Sequence, residues 1–327
     1  MPIGIGLIGA GKHGQRYIRH IRNDVPALAL TALTRRDATA GRTQARALDC
    51  RFHPDWRDLI ADPRVDAVVT VVPPTLHHEI AAAVASAKKP LLIEKPLGVT
   101  GAAATEIVRL LRAAGVPTVM AHTLRWNAVA RLVRERLPAM GALRALYVNQ
   151  RFEPSQLAWL DDPAVSGGGM ILHTGVHSFD LVRFLTGREV TRVWCRTRRA
   201  VTVRTEDNFT AQLELDGSDA LVTVNGCRAT LGRSGLIDVA AEGGQLVADH
   251  QLGFAYSVRA LERTPLALPE TAVNTVCEAL HAFVEAIRGK ASPVVTLEDG
   301  ARAVLIAEAC ARAATTAGSV TVEPLAV

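Results

Sequence analysis

Through its first third the chain alternates short, nearly continuous apolar runs with longer stretches in which apolar side chains recur every three or four residues. The opening run from Ile3, then Leu28 to Leu33, Asp66 to Val72, Pro90 to Ile93 and Val116 to Ala121, predict five strands. Between them, the segment after Gly14, Ala38 to Leu48, Leu76 to Ala87 and Thr100 to Ala114 predict helices. A β-branched run such as DAVVTVV (66–72) suits a strand buried on both faces of a parallel sheet. Strands and helices alternating at this spacing predict an α/β fold with a doubly wound parallel sheet, whose ligands lie along the carboxyl ends of the strands.

Near residue 123 the rhythm changes. A helix (Val129 to Leu137) and a strand (Leu143 to Gln150) precede a loop ending in Gly167-Gly168-Gly169, and a helix is predicted from Met170 to Leu185. From Val190 to His250, β-rich segments separated by turn signals such as Asp216-Gly217 and Gly243-Gly244 read as antiparallel strands. Two helices follow, Ala272 to Ile287 and Glu298 to Ala317, the second with Thr296-x-x-Asp299 as a candidate cap. Two domains are expected, residues 1–122 binding a nucleotide and residues 123–327 binding substrate.

Composition narrows the class. With 327 residues, 49% of them hydrophobic, the chain fills one or two large cores. No apolar run reaches the roughly 18 residues a membrane span needs, and the N-terminus enters a strand directly, so a cytoplasmic protein is expected. The five cysteines are scattered without C-x-x-C spacing, which argues against a disulfide framework or a cysteine zinc site. A net charge of +5, carried by arginines without a basic stripe, gives no sign of nucleic-acid binding. Lysine is scarce (Lys12, Lys88, Lys89, Lys95, Lys290), so one inside a motif stands out.

The first strand runs into Gly9-x-Gly11-x-x-Gly14 and then a helix, the strand–turn–helix context of a dinucleotide site. Gly9 makes the turn, Gly11 admits a pyrophosphate, and Gly14 lets helix and sheet pack closely; Lys12 and His13 lie between them. A diphosphate there sits on N–H groups at a helix N-terminus. After the second strand come Thr34, Arg35 and Arg36, where an acidic residue about 20 positions beyond the glycines holds the ribose hydroxyls of NAD. A hydroxyl and two guanidiniums favour the 2′-phosphate of NADP, with NAD still possible; the alternative is two solvated arginines beside Asp37 as a helix cap. Glu94-Lys95-Pro96 follows the fourth strand, where a lysine can stabilise a developing oxyanion. His173, His177 and Asp180 follow the triple glycine at helical spacing, which brings them to one face pointing toward Lys95. The bland alternative is two core histidines and a surface Asp180 paired with Arg183. No metal site is expected, because the His-Glu-x-x-His pattern is absent.

Taken in order, these motifs, with Val72-Pro73-Pro74-Thr75-x-x-His78, Leu124-Arg125-Trp126-Asn127 and the late Pro293-Val294-Val295-Thr296-Leu297-Glu298-Asp299-Gly300, resemble the Gfo/Idh/MocA family along nearly the whole chain. The resemblance implies an N-terminal Rossmann domain and a C-terminal α/β domain on a large, mainly antiparallel open sheet that assembles a homodimer or homotetramer. It implies a nicotinamide cofactor, a sugar, polyol or cyclitol substrate, a catalytic lysine at Lys95 and a catalytic histidine at His177. Pro73, Thr75, His78, Glu94 and Lys95 join the candidate cofactor contacts. Arg125, Asn127 and His78 are candidates for the site wall, and His173 and His177 for substrate contact.

One departure matters: His173 occupies the place where the family has an Asp, four residues before the histidine. Two imidazoles beside an ammonium then disfavour each other's protonation. The pair acts as neutral imidazoles, the substrate brings a negative charge, or catalysis is lost. The sequence therefore predicts an NADP-dependent oxidoreductase in which Lys95, His177 and His173 act on a secondary hydroxyl. The alternatives are redox-assisted glycoside cleavage with a tightly bound cofactor, or a cofactor-binding regulator without turnover.

Overall fold

The computed structural model describes residues 1–269, 273–290, 295–316 and 318–327. Six parallel strands form the first sheet: β1 (Ile3–Ile8), β2 (Leu28–Thr34), β3 (Arg51–Phe52), β4 (Ala67–Thr70), β5 (Leu91–Ile93) and β6 (Thr118–Met120). They stand in the order β3-β2-β1-β4-β5-β6. The connections are α1 (Gly14–Asn23), α2 (Ala38–Ala47), α3 (Trp56–Ala61), α4 (His77–Ser86) and α5 (Gly101–Ala114). The strand order reverses between β1 and β4, which leaves a crevice at their carboxyl ends. All four residues of β4 are buried, as a two-faced parallel strand requires. The five expected strands are present, and the sheet gains β3 at its edge and α3 beyond it. Two residues in β3 and six in α3 are too few to display a period.

The second half contains α6 (Ala128–Arg136), β7 (Leu143–Arg151), α7 (Pro163–Ser166) and a π turn at Ile171–Gly175 that runs directly into α8 (Val176–Thr186). Then follow β8 (Val190–Arg198), β9 (Asn208–Leu215), β10 (Ser218–Cys227), β11 (Leu236–Ala241), β12 (Gly244–Asp249), β13 (Phe254–Arg259) and β14 (Glu262–Pro265). The last elements are α9 (Thr275–Ile287), α10 (Leu297–Thr316) and β15 (Val320–Thr321). The nine-stranded sheet, ordered β14-β13-β12-β11-β7-β10-β9-β8-β15, is antiparallel except where β7 pairs with β10. One face buries Val193, Leu213, Val224, Val148 and Val239, and α8 and α10 pack on the sheet's strands. Full burial of each such side chain contributes roughly 1.5–3 kcal/mol. The opposite face leaves Trp194 and Leu221 exposed.

Two helices tie the halves together. α9 packs on α1 and β6, and α10 packs on α5 as well as on α8 and β8. Thr296 Oγ1 accepts the Asp299 N–H while Asp299 Oδ2 accepts the Thr296 N–H, so the expected cap forms reciprocally at the start of α10. Ala272 and Ala317, the expected ends of these helices, and Pro293 and Val294 of the late motif lie outside the described residues.

A buried charge network lies at the junction. Arg125 donates from Nε to Asp180 Oδ2 at 2.9 Å and from Nη2 to Asp180 Oδ1 at 2.6 Å, and it reaches Asp299 at 2.9 Å. Arg183 joins Asp299 at 3.1 Å and clamps Glu189 with two bonds of 2.7 Å. Burial opposes ionisation of Asp299, but Arg125, the Thr296 N–H and Arg183 outweigh it and hold its pKa at about 2. Asp180, expected at the surface in the bland reading, is buried, because it lies between two guanidiniums. Removing one partner of such a network leaves a buried uncompensated charge, so Asp180→Ala is expected to cost about 3–5 kcal/mol in urea unfolding. A loss below about 1 kcal/mol, the range of a surface pair, would show that the network does not hold the junction.

Candidate active site

At the mouth of the crevice, β1 ends in the glycine turn. Gly9 has φ +99°, and a Cβ there would lie 2.2 Å from the Val71 carbonyl oxygen. A Cβ on Gly14 would lie 2.2 Å from the Gly9 oxygen, so α1 starts closer to the turn than any side chain permits. Around Gly11 the space is open, and the α1 N-cap, His13, makes no side-chain cap bond. An open backbone approach beside an uncapped helix N-terminus fits a pyrophosphate. Thr34 is buried at the end of β2, Arg35 donates to Gln44 on α2 at 3.1 Å, and Arg36 is exposed. Asp37 spends its carboxylate on the Ala40 N–H as the cap of α2.

Across the switch point, Glu94 and Lys95 leave the end of β5. Glu94 Oε1 accepts the Tyr17 hydroxyl and bonds His13 Nε2, both at 2.7 Å, so the glycine loop and the strand end are fastened together. Burial raises the Glu94 pKa, yet the His13 contact, Lys95 and Tyr17 prevail and hold it at about 2. The peptide Lys95-Pro96 is cis. Lys95 Nζ donates to the backbone oxygen of His173 at 2.8 Å. Burial lowers its ammonium to about 8; Glu94 opposes that shift and Arg228 adds to it.

The triple glycine permits the opposite wall. A Cβ on Gly169 would fall 2.3 Å from the Glu206 backbone oxygen, and Glu206 Oε1 accepts the Ile171 N–H at the head of the π turn. That turn replaces the start of the expected regular helix. His173 Nε2 donates to the Ser166 carbonyl at 2.9 Å and its ring meets Trp159 edge-on at 5.6 Å, whereas His177 meets His122 edge-on at 5.8 Å. The two rings thus have different neighbours, although Lys95 acts on both. Lys95 contacts the carbonyl of His173 rather than its ring. Burial first and Lys95 second depress both imidazoles, His173 to about 3 and His177 well below its ordinary value. Both are neutral near pH 7.

The remaining expected residues are placed as follows. Arg125 is committed to the acidic network, and Asn127 Oδ1 caps α6 through the Val129 and Ala130 N–H groups. Thr75 Oγ1 donates to the Val165 carbonyl at 3.3 Å, Pro73 precedes the short turn Pro74–Leu76, and His78 is exposed. Its neighbour His77 is the buried one, donating from Nδ1 to the Pro96 carbonyl at 2.9 Å. Three residues near Lys95 and His177 carried no motif. His122 follows β6, buried with both ring nitrogens unpartnered; Arg228 follows β10; and His250, with Nε2 unpartnered, follows β12. His122 was findable by the rule that singled out Lys95, namely position at the carboxyl end of a parallel strand.

Residues 3–122 match the model described as an oxidoreductase family with an NAD-binding Rossmann fold, and residues 129–247 match the GFO/IDH/MocA C-terminal domain. The chain belongs to the Gfo/Idh/MocA oxidoreductase family. The chain is 32% identical over 203 residues to inositol 2-dehydrogenase 2 of Saccharopolyspora erythraea, an alignment spanning 61% of this chain and 58% of that protein. It is 27% identical to the rhizopine catabolism protein MocA of Rhizobium meliloti, over 93% of each. The crystal structure of an oxidoreductase domain protein from Kribbella flavida superposes with a TM-score of 0.90 at 23% identity, covering 99% of this chain and 100% of that one.

An ammonium near pKa 8 gives a pH test. If Lys95 works protonated, kcat/KM falls as pH rises through about 8. His173→Asp places a carboxylate beside it and moves that limb to higher pH, whereas the uncharged His173→Asn leaves it in place. Equal limbs in both variants would remove the electrostatic link.

Proposed function

We propose that this chain is a cytoplasmic NADP-preferring dehydrogenase acting on a secondary hydroxyl of a sugar, polyol or cyclitol. The reading rests on one observation: the Lys95 ammonium and the neutral, half-buried His177 imidazole meet at the carboxyl edge of the first sheet, beside the glycine turn. Hydride exchange at the hydroxyl carbon is the chemistry the bound nicotinamide supplies. His177 takes the hydroxyl proton, since Nδ1 is buried without a partner and Nε2 is the nitrogen left to the cleft. Lys95, already fixed by the His173 carbonyl, donates a second N–H to the oxygen as charge develops on it. His173 holds the turn through Ser166 and presents an uncharged ring toward the substrate. The names of the relatives, inositol 2-dehydrogenase above all, support a ring hydroxyl. The exposed face of the second sheet, with Trp194, Leu221 and Tyr256, supports a homodimer or homotetramer.

A panel of sugars, polyols and inositols followed by NADP or NAD reduction tests the activity. Product without net reduction would instead mark redox-assisted cleavage, and cofactor binding without any turnover would mark a regulator. On the true substrate, Lys95→Met is expected to cut kcat about a hundredfold or more while leaving cofactor affinity near that of the parent, as for loss of an oxyanion donor. Unchanged turnover excludes Lys95 from the chemistry.

For the cofactor, NADP is expected to bind about tenfold more tightly than NAD by calorimetric titration, a difference of about 1.4 kcal/mol that one charged contact supplies. Arg35→Ala and Arg36→Ala should narrow the ratio. Equal affinities, or a preference for NAD, would withdraw the assignment of Thr34-Arg35-Arg36 to a 2′-phosphate.

A further inference from the structure

Arg228, the first residue after β10, lies half-buried against the same turn that holds Lys95. Lys95 Nζ bonds the His173 carbonyl, and Arg228 Nη2 bonds the hydroxyl of the next residue, Thr174, at 2.7 Å. Two cations therefore converge on adjacent residues, beside the neutral imidazole of His173. Among the described residues no carboxylate pairs with Arg228. A guanidinium has five N–H donors, and only one is matched here by a side-chain acceptor. Burial alone shifts Arg228, downward, with no nearby anion opposing it.

Arg228 and His173 line a cavity of about 210 Å³ that also touches Met170, Leu160, Asp161 and Glu206. The acidic groups around it are engaged elsewhere. Asp161 accepts the N–H groups of Val203, Arg204 and Thr205; Asp207 accepts those of Ala200, Val201 and Thr202; and Glu206 accepts that of Ile171. We propose that Arg228 is a substrate-binding residue and that the substrate is a sugar or polyol carrying one carboxylate, held by this guanidinium while its reacting hydroxyl faces Lys95 and His177. A planar carboxylate matches the guanidinium fork with two charge-assisted bonds. A carboxylate is favoured over a phosphate dianion, because the carboxylates lining the same cavity, though bonded to N–H groups, still oppose a second negative charge. The proposal rests on the dehydrogenase assignment for its chemistry, but its binding half is measurable alone.

Calorimetry on the NADP-loaded protein compares glucuronate with glucose, galacturonate with galactose and gluconate with sorbitol, with glucose 6-phosphate as a further probe. At least one acid is expected to bind about tenfold or more tightly than its neutral counterpart. Added salt and R228Q should abolish that advantage and R228K should restore part of it, with thermal unfolding confirming that each variant is folded. Acids no better than neutral partners in all three pairs, an advantage that survives R228Q, or glucose 6-phosphate tighter than every acid would overturn the proposal. The two assignments fail separately. Acids that bind through Arg228 but are never oxidised sink the dehydrogenase and keep the anion site, whereas oxidised neutral sugars with no carboxylate preference do the reverse.

Discussion

The hydrogen bond from Lys95 to the His173 carbonyl joins the carboxyl end of the first sheet to the π turn of the second half, within the candidate active site. A half-buried ammonium needs acceptors, and the nearest carboxylate, Glu94, is occupied by His13 and Tyr17 and meets Lys95 only through its backbone N–H. A carbonyl compensates the charge less than a carboxylate would, which leaves the ammonium at about 8. The ammonium is therefore held in place by a neutral group, and no bonded carboxylate cancels its charge. That carbonyl exists in the right place because of the π turn, and the π turn starts correctly because Gly169 allows Glu206 to reach the Ile171 N–H.

Around this bond the protein separates its charges by function. Arginines 125 and 183 and aspartates 180 and 299 neutralise one another in a buried network that fixes α8 and α10 against the start of the second half. The cleft itself contains cations and neutral imidazoles: Lys95, Arg228, His173, His177 and His122. Acids that hold structure are bonded to arginine or backbone N–H groups, and among the described residues none of them pairs with Arg228. The cost is a cluster of imidazole nitrogens buried without protein partners, on His122, His177 and His250, of the kind that persists where a site awaits polar atoms of a ligand.

The α/β architecture was readable because each strand of the first sheet is a short apolar run and each helix a periodic one, and local patterns need only local residues to be seen. Gly9, Gly11 and Gly14 announce their role for the same reason: the turn, the open approach and the tight helix start all lie within one six-residue stretch. Lys95 was readable from its place after a parallel strand. Only the folded chain decided the rest. A π turn is a one-residue change in winding that leaves the apolar period nearly intact, so it left no trace in the spacing of His173 and His177. Arg125 gave no hint of its ion-pair partners Asp180 and Asp299, 55 and 174 positions away. Arg228 and His250 gave no signal because β10 and β12 bring them to the cleft from far along the chain. The sequence determined which elements form and which backbone approaches are open; which charges face one another depends on contacts between distant segments, and tertiary structure alone decides those.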